Sequence, residues 1–211
     1  VSVEPKSFDR EHGITGLVPF IATPLPDTKI VPILVAVGTP TTTLESLALS
    51  LSKIDDDTVF LASVDFSHYL PVAVAAFHDA RSFAVLAAAD LDRVMSLEVD
   101  SPESLFTLLS VNKKLAQEKI LFSHHSDAAL LVNKPDTKES TSHLTMLFGK
   151  GEEREPNKTL TMLHVGDIML DRDVELAMKK HGGPDWIFEK IAGQEGRFFR
   201  GIDLVVGNLE G

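Results

Sequence analysis

The 211-residue chain contains no cysteine. Disulfides and thiolate metal sites are thereby excluded, so any metal must be held by His, Asp, Glu or Asn, a donor set that favours harder or borderline ions. Basic residues are also scarce: Lys and Arg number 20 against 31 Asp and Glu, giving a net charge of −11. No local Lys/Arg cluster offsets this, polyphosphate is repelled, and nucleic acid is not an expected partner. Long apolar runs are missing too. None approaches the roughly 18 residues needed to cross a bilayer, and the opening VSVEPKSFDREHG lacks the basic start and apolar stretch of a secretory signal. No membrane segment is expected, while compartment stays open because a cysteine-free chain is comfortable on either side of a membrane.

What is present has ordinary globular composition, 44% hydrophobic and 24% charged, at a length that suits one domain or one domain plus part of another. The chain has no initiator Met, and its last residues, IDLVVGNLEG, stop just after a run that reads as a buried strand. The expectation is an internal segment of a longer protein.

Ile30 to Val37 and Val59 to Val64 have the length and β-branched content of buried strands, and such continuous apolar runs point to a parallel sheet covered on both faces. Between them Leu44, Leu47, Ala48, Leu51 and Ile54 recur at helical spacing. The Ala-rich stretch Val72 to Val94 predicts a long helix, and Leu105, Leu108, Leu109 and Leu115 predict another after Ser101-Pro102-Glu103, where Pro suits the first turn. Strand-like runs follow at Lys119 to Phe122, Ala128 to Val132 and His143 to Phe148. The charged, aperiodic segment Gly149 to Lys158 reads as an exposed linker. Beyond it the pattern restarts: strand Leu160 to Val165, helices over Asp173 to Lys180 and Trp186 to Ala192, and strand Ile202 to Val206. These 50 or so residues are too few to close a layered core alone.

Two constellations carry chemistry. Asp65 and His68 follow the predicted strand Val59 to Val64, where ligands collect in open α/β sheets. A carboxylate three residues from an imidazole can orient the ring, tune its pKa, or place both groups on a metal or substrate. Asp65 as a turn cap beside a structural His68 remains the alternative. In order along the chain, Glu11-His12-Gly13-Ile14, Pro19-Phe20-Ile21-Ala22, Ile33-Leu34-Val35 and Ala62-Ser63-Val64-Asp65-Phe66-Ser67-His68-Tyr69 resemble the later part of the Memo-like proteins, also called AmmeMemoRadiSam system protein B. That resemblance spans about residues 9 to 149 and implies a class III extradiol dioxygenase-like fold with a pocket lined by His12, Asp65 and His68. It departs from the family pattern at Leu17, where a second His is usual, and at Asp100-Ser101, where the family has Cys-Gly. Asp100 could serve as a carboxylate in place of that thiolate. Ring-opening oxygenases of this fold need a ferrous ion held by two His and a carboxylate, a set this segment does not display, so dioxygenase activity is not expected.

The second constellation is Gly166-Asp167 and Gly207-Asn208-Leu209-Glu210, each placed after a predicted strand. Asp and Asn delivered from neighbouring strand ends are how many two-metal phosphoesterases hold their ions, and common turn dipeptides are the alternative. GDIMLDR and DLVVGNLEG, about 40 residues apart, are similar to the amino-terminal part of the CapA family of poly-gamma-glutamate capsule proteins, which have a calcineurin-like metallophosphatase fold. This resemblance implies that Asp167, Asn208 and Glu210 are metal or substrate residues and makes Arg172 a candidate anion contact.

The combined expectation is a mixed α/β chain with a largely parallel sheet and helices on both faces over residues 1–148, its amino-terminal part missing. A linker at 149–158 and the first β-α-β part of a calcineurin-like α/β domain over 159–211 follow. The expected function is a Memo-like ligand or metal pocket fused to a CapA-like domain. The alternative is a capsule-biosynthesis protein whose metal-dependent phosphoesterase-like domain carries the activity on a non-catalytic scaffold. A divalent ion (iron, manganese or zinc) and a small-molecule or anionic substrate are expected, in the cytoplasm by the Memo-like resemblance or at the cell surface by the CapA-like one. His124-His125 read as loop residues, since neighbours on extended chain face opposite ways. His164, His78 and His181 have structural readings, and Trp186 reads as a helix anchor.

Overall fold

The computed structural model describes residues 8–55, 57–151 and 158–210. Two helical turns come first, α1 (His12–Thr15) and α2 (Val18–Ala22). Glu11 caps α1 by accepting the Gly13 N–H at 3.1 Å, and Pro19 lies in the first turn of α2, where its missing N–H costs nothing. The periodic apolar stretch forms α3 (Thr41–Leu51), with Leu44 and Ala48 buried one turn apart. After β1 (His68–Leu70) the chain enters α4 (Val72–Ala87) and α5 (Leu91–Val94), then α6 (Pro102–Lys114), which packs against α3. Leu44, Phe66, Val85, Leu86, Val94, Leu97, Leu105, Phe106 and Leu109 form the core among these elements.

The expected single helix from Val72 to Val94 is broken. Ala89 adopts φ 49°, its N–H donates to Leu86 O at 3.1 Å, and the Asp90 N–H donates to Val85 O at 3.1 Å. This pair of bonds closes α4 as a Schellman motif, satisfying carbonyls that an unbroken helix would have used internally.

The sheet differs more. β2 (Lys119–Asp127) and β1 flank β3 (Ser140–Gly149), and both pairings are antiparallel, so the expected largely parallel sheet is corrected here. Residues 30–37 and 59–64 join no ladder, and Val31, Val37 and Val59 are each more than 80% exposed. Only Val35, Ala62 and Val64 of these two runs pack on the core. An apolar run favours an extended, buried segment but does not supply the neighbouring strand that pairs with it. His124 and His125 lie within β2 rather than in a loop, and Ala128 to Leu131 form a helical turn, α7 (Ala128–Leu131), in place of the expected strand. Asp127 decides that local outcome, because its carboxylate accepts the Ala129 N–H at 2.8 Å and the Leu130 N–H at 3.3 Å.

Beyond Gly149 most of the predicted linker, 152–157, lies outside the described residues. The chain then forms β4 (Met162–Met169), α8 (Asp173–Lys180), α9 (Asp185–Ala192), a 3₁₀ turn over Gln194–Phe199 and β5 (Leu204–Glu210), with β4 and β5 parallel. This is the expected β-α-β order, but both strands run on past the predicted turns, so Gly166 and Gly207 sit inside strands. A Cβ on Gly207 would lie 2.7 Å from both Ile168 Cδ1 and Val165 Cγ2, which explains its lack of a side chain. His181 ends α8 and stacks on Trp186 at 4.3 Å between ring centroids, fixing the corner into α9. Among the described residues no helix is long and apolar enough to cross a membrane.

Candidate functional site

Asp65 and His68 sit on the turn that enters β1, and two buried residues between them, Phe66 (4% exposed) and Ser67 (0%), hold that turn. The Asp65 N–H donates to Asp100 Oδ1 at 2.9 Å, and the Asp100 N–H donates to Asp65 O at 3.0 Å. Asp100, the residue where the resemblance expects a thiolate, is thus locked beside Asp65. Burial is the main cause that raises the Asp100 pKa above the usual carboxylate value, and the Asp65 charge pushes the same way. The Asp65 N–H bond and the His68 imidazole act in the opposite sense. His68 places Nδ1 3.3 Å from Phe66 O and its ring edge-on to Tyr69. At this point β1 spends two residues, His68 to Leu70, against one on β3, and Tyr69 takes φ 56°. A bulge of this kind re-aims a side chain relative to the sheet, and positive φ in a tyrosine concentrates strain beside the turn.

His12 is not gathered with the other two by any bond. Its side chain is 94% exposed and its nearest charged partner is Glu11, at 3.8 Å. α1 nevertheless lies against the stretch that feeds Asp65, since a Cβ on Gly13 would come 3.3 Å from Ser63 Oγ. Beside Asp100 opens a cleft of about 330 Å³, lined by Val37, Leu97, Val99, Asp100, Glu103 and Arg200 among others. Its apolar walls with a few carboxylates and one guanidinium have the composition of a small-molecule site.

The second set is brought together. The parallel register places Asp167 opposite Asn208, and Asn208 Nδ2 donates to Asp167 Oδ1 at 3.0 Å and to Glu210 Oε1 at 3.2 Å. A second cleft, about 440 Å³, is lined by Met169, Asp171, Arg172, Leu209 and Glu210. Among the described residues no group of three or more His, Asp or Glu is close enough to hold a metal ion. The amide of Asn208 presents its NH₂ to both carboxylates, so the trio is arranged as a hydrogen-bonded group.

Sequence reasoning missed one hub. Asp79, 4% exposed on α4, accepts the Ser67 and Ser142 hydroxyls on Oδ1, each at 2.9 Å, while its Oδ2 lies 2.7 Å from His125 Nε2. The Ser142 N–H also donates to Ser67 O at 2.8 Å. Ser67, the residue just before His68, is therefore tied to helix and sheet alike. A signal existed in the sequence: Ala75, Asp79, Ser82 and Leu86 fall on one helical stripe, so the stripe that buries α4 carries a carboxylate.

These features define a class, a mixed α/β chain whose carboxylate–imidazole turn enters a short bulged strand above a helical core. The chain belongs to the family of Memo-like proteins, whose sequence model matches residues 1–131. No curated protein matches the chain. No solved structure matches it. The match ends before β3, although β3 is the central strand that both β1 and β2 pair with.

Proposed function

We propose that this Memo-like chain binds a small molecule at the Asp65–His68 turn, with Asp100 beside it and His12 approaching from α1. The observation that carries the reading is the reciprocal pairing of Asp65 and Asp100, in which the Asp65 N–H bonds the Asp100 carboxylate and the Asp100 N–H bonds the Asp65 carbonyl. It fastens the turn that carries Asp65 and His68 to Asp100, which lines the cleft and which burial makes more prone to hold a proton than a free carboxylate. Such a group can take or give a proton to a ligand's polar end while the cleft holds its apolar part.

A second reading places the activity in the later segment, as a CapA-like, phosphoesterase-like centre built on Asp167, Asn208 and Glu210. It is favoured by the in-register pairing of Asp167 with Asn208 and by Arg172 in the adjoining cleft, where a guanidinium suits an anion. In this reading residues 159–211 begin a separate domain joined through 149–158.

Calorimetric titration of Mn²⁺, Zn²⁺ and inorganic phosphate into the parent chain, His68→Ala and Asp167→Ala separates the two. Binding lost only in His68→Ala supports the first reading, and binding lost only in Asp167→Ala supports the second. Binding that neither substitution changes by more than about twofold removes both site assignments.

A further inference from the structure

Residues 196–203 lie outside the family-matched stretch, yet they are fastened to the part of the molecule that carries His68. Glu98 is the fixed point. It is 3% exposed, its Oε1 accepts Arg197 Nε at 2.8 Å and also bonds Arg197 Nη2, and its Oε2 lies 3.2 Å from Arg200 Nη1. The same Arg197 Nη2 donates to the backbone carbonyl of His68 at 3.0 Å. A stack of Phe198 on Phe77, 5.4 Å between centroids, holds the arginine's neighbour against α4.

We infer that Arg197 is a positioning residue for His68, through which the later segment of the chain sets the geometry of the Memo-like turn. The physical reason lies in the bulge. Between His68 and Leu70 the ladder to β3 slips and Tyr69 sits at φ 56°, so the sheet alone does not fix the His68 peptide. Ser67 is held from one side by Asp79, and the His68 carbonyl is held from the other by Arg197. A guanidinium suits both tasks at once: its planar fork donates to Glu98 and the carbonyl together, and its side chain is only 15% exposed. Glu98 is itself buried and holds the guanidinium in place, so one side chain makes both the ion pair and the carbonyl bond. The role matters functionally only if His68 is a pocket residue, as proposed above.

The test therefore reads the placement of His68 in the full chain without any ligand. Imidazole carbon–proton correlations of His68 and hydrogen exchange of the 68–70 amides are recorded for the parent, Arg197→Gln, Arg197→Lys and Arg93→Gln. Arg93→Gln removes the separate tie from Arg93 to Asp203 and touches nothing at His68, so it controls for loosened docking. In Arg197→Gln the His68 signals are expected to shift and amide exchange at 68–70 to rise about tenfold, with Arg93→Gln like the parent. Arg197→Lys, whose one nitrogen cannot serve both acceptors, is expected to fall between. If Arg197→Gln does not fold, Arg197→Lys decides, and parent-like His68 signals in it overturn the assignment. Unchanged signals in a folded Arg197→Gln, or equal shifts in Arg93→Gln, also overturn it. Loss of ligand binding is not part of this readout, so a failed pocket reading and a failed positioning role are distinguishable.

Discussion

Asp79 has both carboxylate oxygens occupied by partners from three separate stretches of chain, Ser67, His125 and Ser142. Removing it leaves two buried hydroxyls with only their longer bonds, Ser67 to Ala75 O at 3.4 Å and Ser142 to Ser67 O at 3.3 Å, and a poorly satisfied buried hydroxyl carries a penalty of about 1–3 kcal/mol. Asp79→Ala is therefore expected to destabilise the fold by about 3 kcal/mol or more, read as a fall in the urea midpoint. Asp79→Asn, which keeps the Oδ1 acceptor for both serines, should lose less than half of that. Equal losses would mean that charge, rather than the acceptor, is what the hub needs.

At the level of elements, helix endings show a repeated solution filled by different residues. α4, α6 and α8 each end on a left-handed residue followed by a six-to-one bond, the left-handed position being Ala89 (φ 49°), Ala116 (φ 53°) and Gly182 (φ 97°). For α6 the Gln117 N–H reaches Asn112 O at 2.8 Å, and for α8 the Gly183 N–H reaches Met178 O at 2.8 Å. Glycine adopts this conformation freely, whereas a Cβ costs about 1 kcal/mol there. Ala89→Gly and Ala116→Gly are expected to stabilise by about 0.5–1 kcal/mol each. Ala84→Gly, inside α4, should cost about the same amount. Thermal unfolding of the three variants checks the sign, and destabilisation at Ala89 would show that the helix end is held by something other than the left-handed turn.

Across the whole molecule, the later segment is tied to the first by more than Arg197. Arg81, 7% exposed on α4, donates to Ser96 O at 3.0 Å, to Ser96 Oγ at 2.7 Å and to Thr161 Oγ1 at 3.2 Å. Gly201, at φ 72°, lies against that guanidinium, where a Cβ would collide with it. Asp90 accepts both the N–H and the hydroxyl of Thr159, at 2.6 and 2.8 Å. Buried ties of this kind couple unfolding, so scanning calorimetry of the chain is expected to show one transition, and Arg81→Ala to separate it into two. Two transitions in the parent would mean that the segments unfold independently despite these contacts.

The amino-acid sequence by itself determined where the longer helices lie and the β-α-β order beyond the linker. Apolar residues at helical spacing put Leu44 and Ala48 on the buried side of α3, Pro102 marked the start of α6, and the β-α-β order after the linker was legible from its restarting apolar pattern. It also identified the family through the DFSHY turn, because that signature is local and contiguous. Strand pairing was not legible. The runs at 30–37 and 59–64 looked like sheet interior but join no ladder, while the sheet was built antiparallel from residues 68–70, 119–127 and 140–149. A helix closes its hydrogen bonds within a few residues, so its pattern is written locally, whereas a strand's partner is chosen by everything else that must pack. The same reason separates the site residues. Asp65 and His68 were readable as neighbours three apart, but Asp100, Asp79 and Arg197 reach that turn from 35, 12 and 129 residues away along their own bonds, and only tertiary packing put them there.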